Sequence, residues 1–262
     1  MDMNLEGKHA LVCGSSQGIG RAVAMELASL GATVTLTARN EQALSAVRDQ
    51  LPRPLEQEHG YFTSDFDRPE ALETVIRSRV EEGRRYHILI NNSGGPPGGP
   101  AHSAKKDEFT AAFQRHLICN QTLLQALLPG MREDGYGRII NIISTSVKEP
   151  IPGLGVSNTV RGAVASWAKT IATELAPDGI TVNNVLPGFT QTDRLKRLFE
   201  GKAEKTGQSF EQVEQAALGQ VPMGRFGRPE ETAAAIAFLA SPAAAYITGV
   251  SIPVDGGRTK GI

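Results

Sequence analysis

Short apolar runs alternate along the chain with longer segments in which apolar residues recur at helical spacing. Strands are predicted at residues 9–13, 33–38, 60–63, 88–91, 138–143, 181–186 and 250–254. Helices are predicted at residues 18–29, 40–50, 69–82, 106–131, 156–174 and 229–241. Alternation of this kind is typical of a parallel sheet that carries helices on both faces. We therefore expect a doubly wound α/β fold with about seven strands in one sheet.

Two segments fall outside this alternation. The loop SGGPPGGP at residues 93–100 follows a strand and precedes a helix, so we expect a shaped loop above the sheet edge and not a linker. Residues 194–219 are polar and helical in propensity, and they follow the sixth strand, where a lid over a substrate is expected. A chain of 262 residues can bury one full core, so residues 1–262 are expected to form a single domain.

A glycine-rich turn joins the first predicted strand to the first predicted helix. The chain reads CGSSQGIG there, which places Gly14, Gly18 and Gly20 in the spacing GxxxGxG. Such glycines let backbone N–H groups approach a pyrophosphate, and the helix that begins near Gln17 directs its positive end at the same charge. The pattern favours a Rossmann-type dinucleotide site over a plain glycine-rich turn.

Composition and charge exclude several other classes of protein. The formal net charge is −1, which gives no electrostatic footprint for nucleic acid, and the apolar runs are too short to span a bilayer. Cys13 and Cys119 lack the spacing of metal ligands and are expected as small buried residues and not as a disulfide. No metal site is expected. The first residues contain neither the basic segment nor the apolar core of a signal peptide, so we expect a cytoplasmic protein.

Several separated motifs occur in a fixed order along essentially the whole chain. They are CGSSQGIG at 13–20, Asp65 after the third strand, NNSG at 91–94, GRIINIIS at 137–144, VNNVLPG at 182–188, and RPEE, ITG and VDGG toward the end. Together they resemble the short-chain dehydrogenase/reductase family, and within it 3-oxoacyl-carrier-protein reductases and similar enzymes. The resemblance implies an oxidoreductase that uses a nicotinamide dinucleotide.

The resemblance also implies which residues hold that cofactor. It assigns the adenine to Asp65 and Phe66, although Asp65 by itself could be a turn residue before Pro69. The resemblance assigns the pyrophosphate to Gly14, Ser16, Gln17, Gly18, Ile19 and Gly20. It assigns the floor of the cofactor site to Asn91, Ser93 and Gly94. It assigns the nicotinamide to Pro187, Gly188, Thr190 and Thr192.

The end of the second strand bears on which nicotinamide nucleotide is used. A carboxylate there would bind a free 2′-hydroxyl of the adenosine ribose and repel a 2′-phosphate. This sequence has no acid until Glu41 and offers Arg39, a permanently charged planar donor. We therefore predict NADP(H) over NAD(H). A solvated arginine at a helix start is the alternative, and Gln17 stands where relatives that prefer NADP often have a basic residue.

The catalytic positions depart from the family's pattern. The family's serine is present as Ser144, but Ser157 occupies the tyrosine position thirteen residues later and Arg161 the lysine position four residues beyond that. Alignment on Phe109 and Pro129 places His116 where the family has a helix asparagine.

This departure removes the usual proton relay. The tyrosine acts as an acid and base because a neighbouring ammonium lowers its pKa from about 10. A serine hydroxyl has no accessible anion near neutral pH, and an arginine keeps its proton in proteins. Ser144 and Ser157 can still polarise a carbonyl, and Arg161 can supply fixed positive charge and reach the nicotinamide ribose.

Three side chains are candidates for the missing proton donor. His116 and His102 can titrate near neutrality, and Lys148 follows Ser144 by four residues. We include His116 among the candidate catalytic residues with Ser144, Ser157 and Arg161. A packed polar histidine and a solvated loop lysine are the corresponding structural alternatives.

Two functions remain open at this point. The first is a divergent NADP(H)-dependent oxidoreductase that transfers a hydride to or from a carbonyl or alcohol carbon of a small, possibly apolar molecule. The second is a catalytically silent relative that binds nucleotide and acts as a regulator or partner subunit. The resemblance implies a homotetramer or homodimer, paired through the long helices at 106–131 and 156–174 and through the C-terminal segments.

Overall fold

The computed structural model describes residues 1–261 and contains a seven-stranded sheet in which all neighbouring strands are parallel. The strands are β1 (His9–Cys13), β2 (Thr33–Ala38), β3 (Gly60–Thr63), β4 (Ile88–Asn91), β5 (Gly137–Ile142), β6 (Ile180–Pro187) and β7 (Ser251–Val254). Their order across the sheet is β3-β2-β1-β4-β5-β6-β7. The doubly wound α/β prediction is confirmed.

Nine α-helices connect or flank these strands in the part of the chain that the structure describes. They are α1 (Gly18–Ser29), α2 (Glu41–Gln50), α3 (Pro69–Glu81), α4 (Lys106–Phe113), α5 (Cys119–Glu133), α6 (Gly155–Leu175), α7 (Asp193–Thr206), α8 (Phe210–Leu218) and α9 (Pro229–Ala240). None of the described helices is both long enough and apolar enough to cross a membrane.

β1 and β4, at the centre of the sheet, are almost entirely buried, which explains why they are short apolar runs, whereas the edge strands β3 and β7 are only partly buried. Along β1, Ala10 and Val12 pack in one core with residues of α1, α2 and α9. Leu11 and Cys13 point the other way and pack with residues of α3, α5 and α6. Successive side chains of a strand alternate between faces, so neighbouring residues of β1 contribute to opposite cores.

The strand order reverses between β1 and β4, which lie side by side in the centre of the sheet. The chain leaves β1 toward one edge of the sheet and returns from β4 toward the other. In open α/β sheets this reversal opens a crevice at the carboxyl ends of the strands, and ligands bind there. The loops after β1, β4, β5 and β6 therefore surround the candidate site.

A chain of buried amides crosses the sheet near this edge. Asn91 donates to Asn141 over 2.8 Å, and Asn141 donates in turn to Asn184 over 2.9 Å. Asn184 then donates to the hydroxyl of Ser251 over 3.0 Å. These contacts link β4, β5, β6 and β7 in register, so they fix the relative heights of the loops that form the site.

The long helix predicted at residues 106–131 is interrupted. α4 and α5 are separated by a π-helical turn at Gln114–Ile118, which contains His116. A wider turn of this kind inserts one residue into the helical repeat and is common at functional sites. The other predicted strands and helices are found, with ends that shift by at most one residue.

The two segments outside the alternation contact each other. The loop at 93–100 is fixed to the start of α6, because Gly99 N–H donates to Gly153 over 2.7 Å and Gly155 N–H donates to Gly99 over 2.9 Å. Residues 194–219 form most of α7 and all of α8. These helices enclose a small apolar core that includes the aromatic rings of Phe189, Phe199, Phe210 and Phe226.

Candidate active site

The glycine-rich turn after β1 has the backbone shape of an anion cradle. Gly14 and Gly18 have φ values of +59° and +58°, a region that L side chains rarely adopt. A Cβ on Gly20 would lie 2.2 Å from the carbonyl oxygen of Gly14, so only glycine fits there. The first turn of α1 has no acidic residue and Gln17 makes no side-chain cap, which leaves its backbone N–H groups free for a phosphate. The residues present fit a dinucleotide pyrophosphate.

Asn92 supports this turn and was missed by the sequence analysis. Its Nδ2 donates to the carbonyl oxygens of Cys13 and Gly14, each over 3.2 Å. Asn91 instead lies within the sheet, where it bonds to Asn141. The signal available in the sequence was the pair of asparagines at the end of β4, of which Asn91 is the last strand residue and Asn92 is the first residue of the loop.

The adenosine end of the predicted site is more open. Arg39 is exposed at the end of β2, and no carboxylate within residues 1–261 lies at ion-pair distance from it. Asn40 is engaged as the N-cap of α2 through the N–H of Ala43. Asp65 is half-buried and accepts a hydrogen bond from Asp67 N–H, and Phe66 is buried.

Ser144 follows the end of β5, and Arg161 reaches that end from α6, the helix that also carries Ser157. Ser144 Oγ accepts the N–H of Ser146 over 3.1 Å, so its own hydroxyl proton is free to be donated. Ser157 and Arg161 are both buried on α6, one helical turn apart. Arg161 donates Nη1 to the carbonyl oxygen of Ile142 over 2.8 Å, which anchors its guanidinium beside β5.

Arg161 remains a cation at neutral pH in spite of its burial. Desolvation, with a smaller contribution from the positive charge of Arg194, lowers the pKa of Arg161 to about 10. The guanidinium therefore supplies fixed charge and no proton at neutral pH.

The structure corrects the expectation that His116 titrates near neutrality. Burial, together with the charges of Arg161, Arg115 and Arg194, lowers the pKa of His116 to about 2. Its Nδ1 lies 2.7 Å from Ser93 Oγ, while its Nε2 is buried without a hydrogen-bond partner. The imidazole is thus neutral at physiological pH, so His116 holds no imidazolium proton to donate there.

The other proposed proton donors lie on the surface. His102 is exposed in the single 3₁₀ turn at Ala101–Ser103, and Lys148 is exposed at the end of the 3₁₀ turn that follows Ser144. Tyr136 lies at the amino end of β5 and donates its hydroxyl to the carbonyl oxygen of Ala240. Tyr246 is fully exposed. None of these contacts places a titrating group beside Ser144.

The residues after β6 cover the glycine-rich turn. Thr192 is the N-cap of α7 and accepts the N–H of Leu195, and its methyl group would lie 3.3 Å from a Cβ placed on Gly18. Thr190 is buried, and Gly188 packs so closely that a Cβ there would lie 2.7 Å from Asp255. The predicted nicotinamide segment, which begins with Pro187 at the end of β6, therefore lies next to the phosphate cradle.

Arg194 is a second residue that the sequence analysis missed. It is half-buried in the first turn of α7 and donates Nη1 to the carbonyl oxygen of Gly95 over 3.2 Å. A Cβ on Gly95 would lie 2.3 Å from Arg194 Nη2, so the guanidinium occupies the space of a side chain at position 95. The sequence signal was a glycine beyond NNSG combined with an arginine just after the nicotinamide segment.

Comparison with known proteins agrees with this geometry. A family model described as enoyl-(acyl carrier protein) reductase matches residues 14–259. The chain is 38% identical over 258 residues to the 3-oxoacyl-acyl-carrier-protein reductase FabG of Vibrio cholerae, covering 97% of this chain and 98% of that protein. It is 33% identical over 254 residues to the NADPH-dependent reductase BacG of Bacillus subtilis, with the same coverage of 97% and 98%.

Solved structures of reductases share the fold along nearly the whole chain. YwfH, described as an NADPH-dependent reductase involved in bacilysin biosynthesis, has a TM-score of 0.91 at 31% identity and covers 97% of this chain and 99% of its own. L-sorbose reductase from Gluconobacter frateurii, solved with NADPH and L-sorbose, has a TM-score of 0.92 at 30% identity and covers 100% of both chains. By these matches and by its fold, the chain belongs to the short-chain dehydrogenase/reductase family.

Proposed function

We propose that this protein is an NADP(H)-dependent oxidoreductase that transfers a hydride between the nicotinamide and a carbonyl or alcohol carbon. The observation that carries the proposal is the placement of Arg161: it is a buried cation on α6, one helical turn from Ser157, and it donates to the carbonyl oxygen of Ile142 at the end of β5. Burying a charge costs free energy, so the presence of this guanidinium at the end of β5 supports a role for its charge in the reaction.

The cofactor would be held by residues of this chain at three places. The glycine-rich turn at 14–20 would bind the pyrophosphate, with Asn92 holding the turn in shape. Arg39 would pair with the 2′-phosphate, and the NADPH dependence of BacG and YwfH supports that assignment. Ser93, Thr190 and Thr192 would line the nicotinamide end, and the bound nicotinamide supplies the hydride.

The substrate carbonyl would be polarised by hydroxyl groups. Ser144 has a free hydroxyl proton because its oxygen already accepts the N–H of Ser146. Ser157 and Arg161 lie one turn apart on α6, so a second hydroxyl and a fixed positive charge can act on the same oxygen. Developing negative charge on that oxygen would be stabilised without a change of protonation in the protein.

The proton that completes alcohol formation would come from water. Arg161, with a pKa of about 10, holds its proton at neutral pH, and His116, with a pKa of about 2, has none to release as an imidazolium. Efficient general acid catalysis requires a group whose pKa lies near the operating pH, and neither of these two pKa values does. We therefore expect slow turnover on simple ketones relative to an enzyme with a tyrosine at position 157.

The test is a titration of the purified protein with NADPH and with NADH, followed by nicotinamide fluorescence. A panel of 3-oxoacyl thioesters, diketones and hydroxyketones is then added while NADPH absorbance is recorded. The proposal predicts NADPH binding and oxidation with at least one class of substrate. Ser144→Ala should reduce turnover by about 100-fold while leaving the Kd for NADPH unchanged.

A catalytically silent nucleotide-binding protein is the second candidate. It is favoured by the lack of a proton donor among these residues: Arg161, with a pKa of about 10, keeps its proton at neutral pH, and His116, with a pKa of about 2, holds no imidazolium proton to release. NADPH binding without oxidation across the panel, together with no effect of Ser144→Ala on any measured property, would favour this reading over the enzyme.

We also propose that the chain forms a homo-oligomer through the outer edge of β7. Tyr246 is fully exposed just before this edge strand, and Val250 is also exposed. Apolar surface beside an unpaired strand is typical of an interface. Light scattering coupled to gel filtration should give a dimer or tetramer mass for the protein and a smaller mass for Tyr246→Asp.

A further inference from the structure

Arg194 is held in a pocket made for its guanidinium. Its Nη1 donates to the carbonyl oxygen of Gly95, and the absence of a side chain at position 95 provides the space for Nη2. Gly95 does not have a positive φ, so the backbone conformation does not demand glycine there. The Arg194 guanidinium therefore fills the space in which a side chain at position 95 would begin, and a side chain there would displace it.

This guanidinium has no carboxylate partner within the described residues. The nearby Arg115 is paired with Asp67, whereas neither Arg161 nor Arg194 forms an ion pair in residues 1–261. Burial and the charges of Arg197 and Arg115 lower the pKa of Arg194, which is the sign of an uncompensated cation. Two partly or fully desolvated positive charges therefore lie near each other with no protein anion between them.

The same cluster contains an unsatisfied polar atom. His116 feels the charges of both Arg161 and Arg194, its side chain is 3% exposed, and its Nε2 has no hydrogen-bond partner. Buried polar atoms in native proteins normally have a hydrogen-bond partner. A buried atom without one, close to two arginines that have no carboxylate partner within the described residues, points to a ligand that would bind all three groups.

We propose that Arg194, with Arg161, binds an anionic oxygen group of the substrate, so that the substrate class is a carbonyl compound that bears a carboxylate. This inference rests on the proposed function, because it places the carboxylate next to the carbonyl that Ser144 and Ser157 polarise. Arg194 is a substrate-binding residue in this scheme. Arginine suits the task because its planar donors match the two oxygens of a carboxylate.

The anionic groups of the cofactor are assigned elsewhere. The pyrophosphate belongs to the glycine-rich turn, and Thr192 already covers Gly18 on that side. The 2′-phosphate belongs to Arg39 at the end of β2. Arg194 instead turns toward Gly95, in the loop after β4, on the same side as His116 and Arg161. The substrate is therefore the favoured source of the anion.

The experiment measures binding of a matched acid and ester to the protein loaded with NADP⁺, where no turnover occurs. Acetoacetate and methyl acetoacetate carry the same ketone and differ in charge. Calorimetry should show that the protein binds the acid at least about 10-fold more tightly than the ester, the range expected for charge-assisted hydrogen bonds. Arg194→Gln should bring the two affinities within about 2-fold of each other.

Arg197→Gln is the matched control, since Arg197 is exposed on the same helix and should keep the wild-type preference. Gly95→Ala provides a second variant that keeps the charge of Arg194 but displaces its guanidinium, so it should also reduce the preference for the acid. Thermal unfolding of each variant establishes that it is folded.

Equal affinity for acid and ester in the wild-type protein, including no binding of either, would overturn the proposal. An acid preference that survives in Arg194→Gln would overturn it as well. If Arg194→Gln instead weakens NADP⁺ binding as strongly as acid binding, the anion belongs to the cofactor. Acid binding that depends on Arg194 without any NADPH oxidation would leave this inference standing and refute the proposed enzymatic function.

Discussion

Ser93 Oγ and His116 Nδ1 lie 2.7 Å apart, and this hydrogen bond joins the loop after β4 to the π-helical turn between α4 and α5. The bond holds a neutral imidazole at the centre of a cationic cluster. Because burial, with a further contribution from the charges of Arg161, Arg115 and Arg194, lowers its pKa, His116 serves this site as a positioned polar group and not as an acid. That arrangement has a measurable effect on stability.

Replacement of His116 should change how the free energy of unfolding depends on pH. The folded-state pKa of about 2 lies below the ordinary value of 6.5, so between these values the unfolded chain binds the extra proton and the folded protein does not. Stability is therefore lost as pH falls through this window, by up to about 1.4 kcal/mol per pH unit for one such group. His116→Asn should show a shallower loss than the wild-type protein in urea unfolding from about pH 7 to about pH 4.

The control for this measurement is His102→Asn, because His102 is exposed. Its pH dependence should match that of the wild-type protein. His9, with a pKa lowered to about 4 by burial and neighbouring cations, contributes the same sign in all three proteins. Identical slopes for His116→Asn and the wild-type protein would contradict the neutral, buried state of His116.

Gly20→Ala should weaken nucleotide binding strongly with only a moderate loss of stability. The new Cβ would lie 2.2 Å from the carbonyl oxygen of Gly14, so the turn that forms the phosphate cradle must move. We expect the Kd for NADPH to rise by more than about 10-fold. Gly162→Ala on α6 is the control, since a Cβ there meets nothing within 4 Å. It should raise the unfolding free energy by about 0.5–1 kcal/mol and leave NADPH binding intact.

Asn141→Ala should destabilise the whole sheet. Asn141 is fully buried, accepts from Asn91 and donates to Asn184, so its removal leaves two buried polar groups unpaired. We expect a loss of about 3 kcal/mol in urea unfolding with an unchanged m-value. Ser251→Ala, at the end of the same chain of amides, removes one partner only and should cost about 1 kcal/mol. A larger loss at Ser251 than at Asn141 would show that the amide chain does not link the strands.

Arg39→Ala should separate the two nicotinamide nucleotides. Because Arg39 is exposed and free of protein carboxylates within residues 1–261, its removal deprives a 2′-phosphate of its charge partner and changes nothing for NADH. Fluorescence titration should show a rise of about 10-fold or more in the Kd for NADPH and little change for NADH. Arg53→Ala, remote from the carboxyl ends of the strands, should leave both values unchanged. Equal weakening of both nucleotides would contradict the assignment of Arg39.

The sequence by itself determined the sheet, the helices and the position of the cofactor turn. β1 and β2 have the predicted bounds because short runs of apolar residues and threonine favour strands, and this is a local property that needs no knowledge of neighbours. The spacing of Gly14, Gly18 and Gly20 likewise reports a local backbone requirement, which the structure displays as positive φ values at the first two. The loss of the usual tyrosine and lysine at positions 157 and 161 is also readable from the sequence alone.

Only the tertiary structure decided the chemical state of the site. The ordinary pKa of histidine predicts titration near neutrality, but His116 is surrounded by Arg161 from α6 and Arg194 from α7, which no local pattern brings together. The contact of Arg194 with Gly95 joins residues 99 positions apart, and that of Asn92 with Gly14 joins residues 78 apart. Charge and burial act through space across the folded chain, so these properties could be known only once the loops at the carboxyl edge of the sheet had been placed.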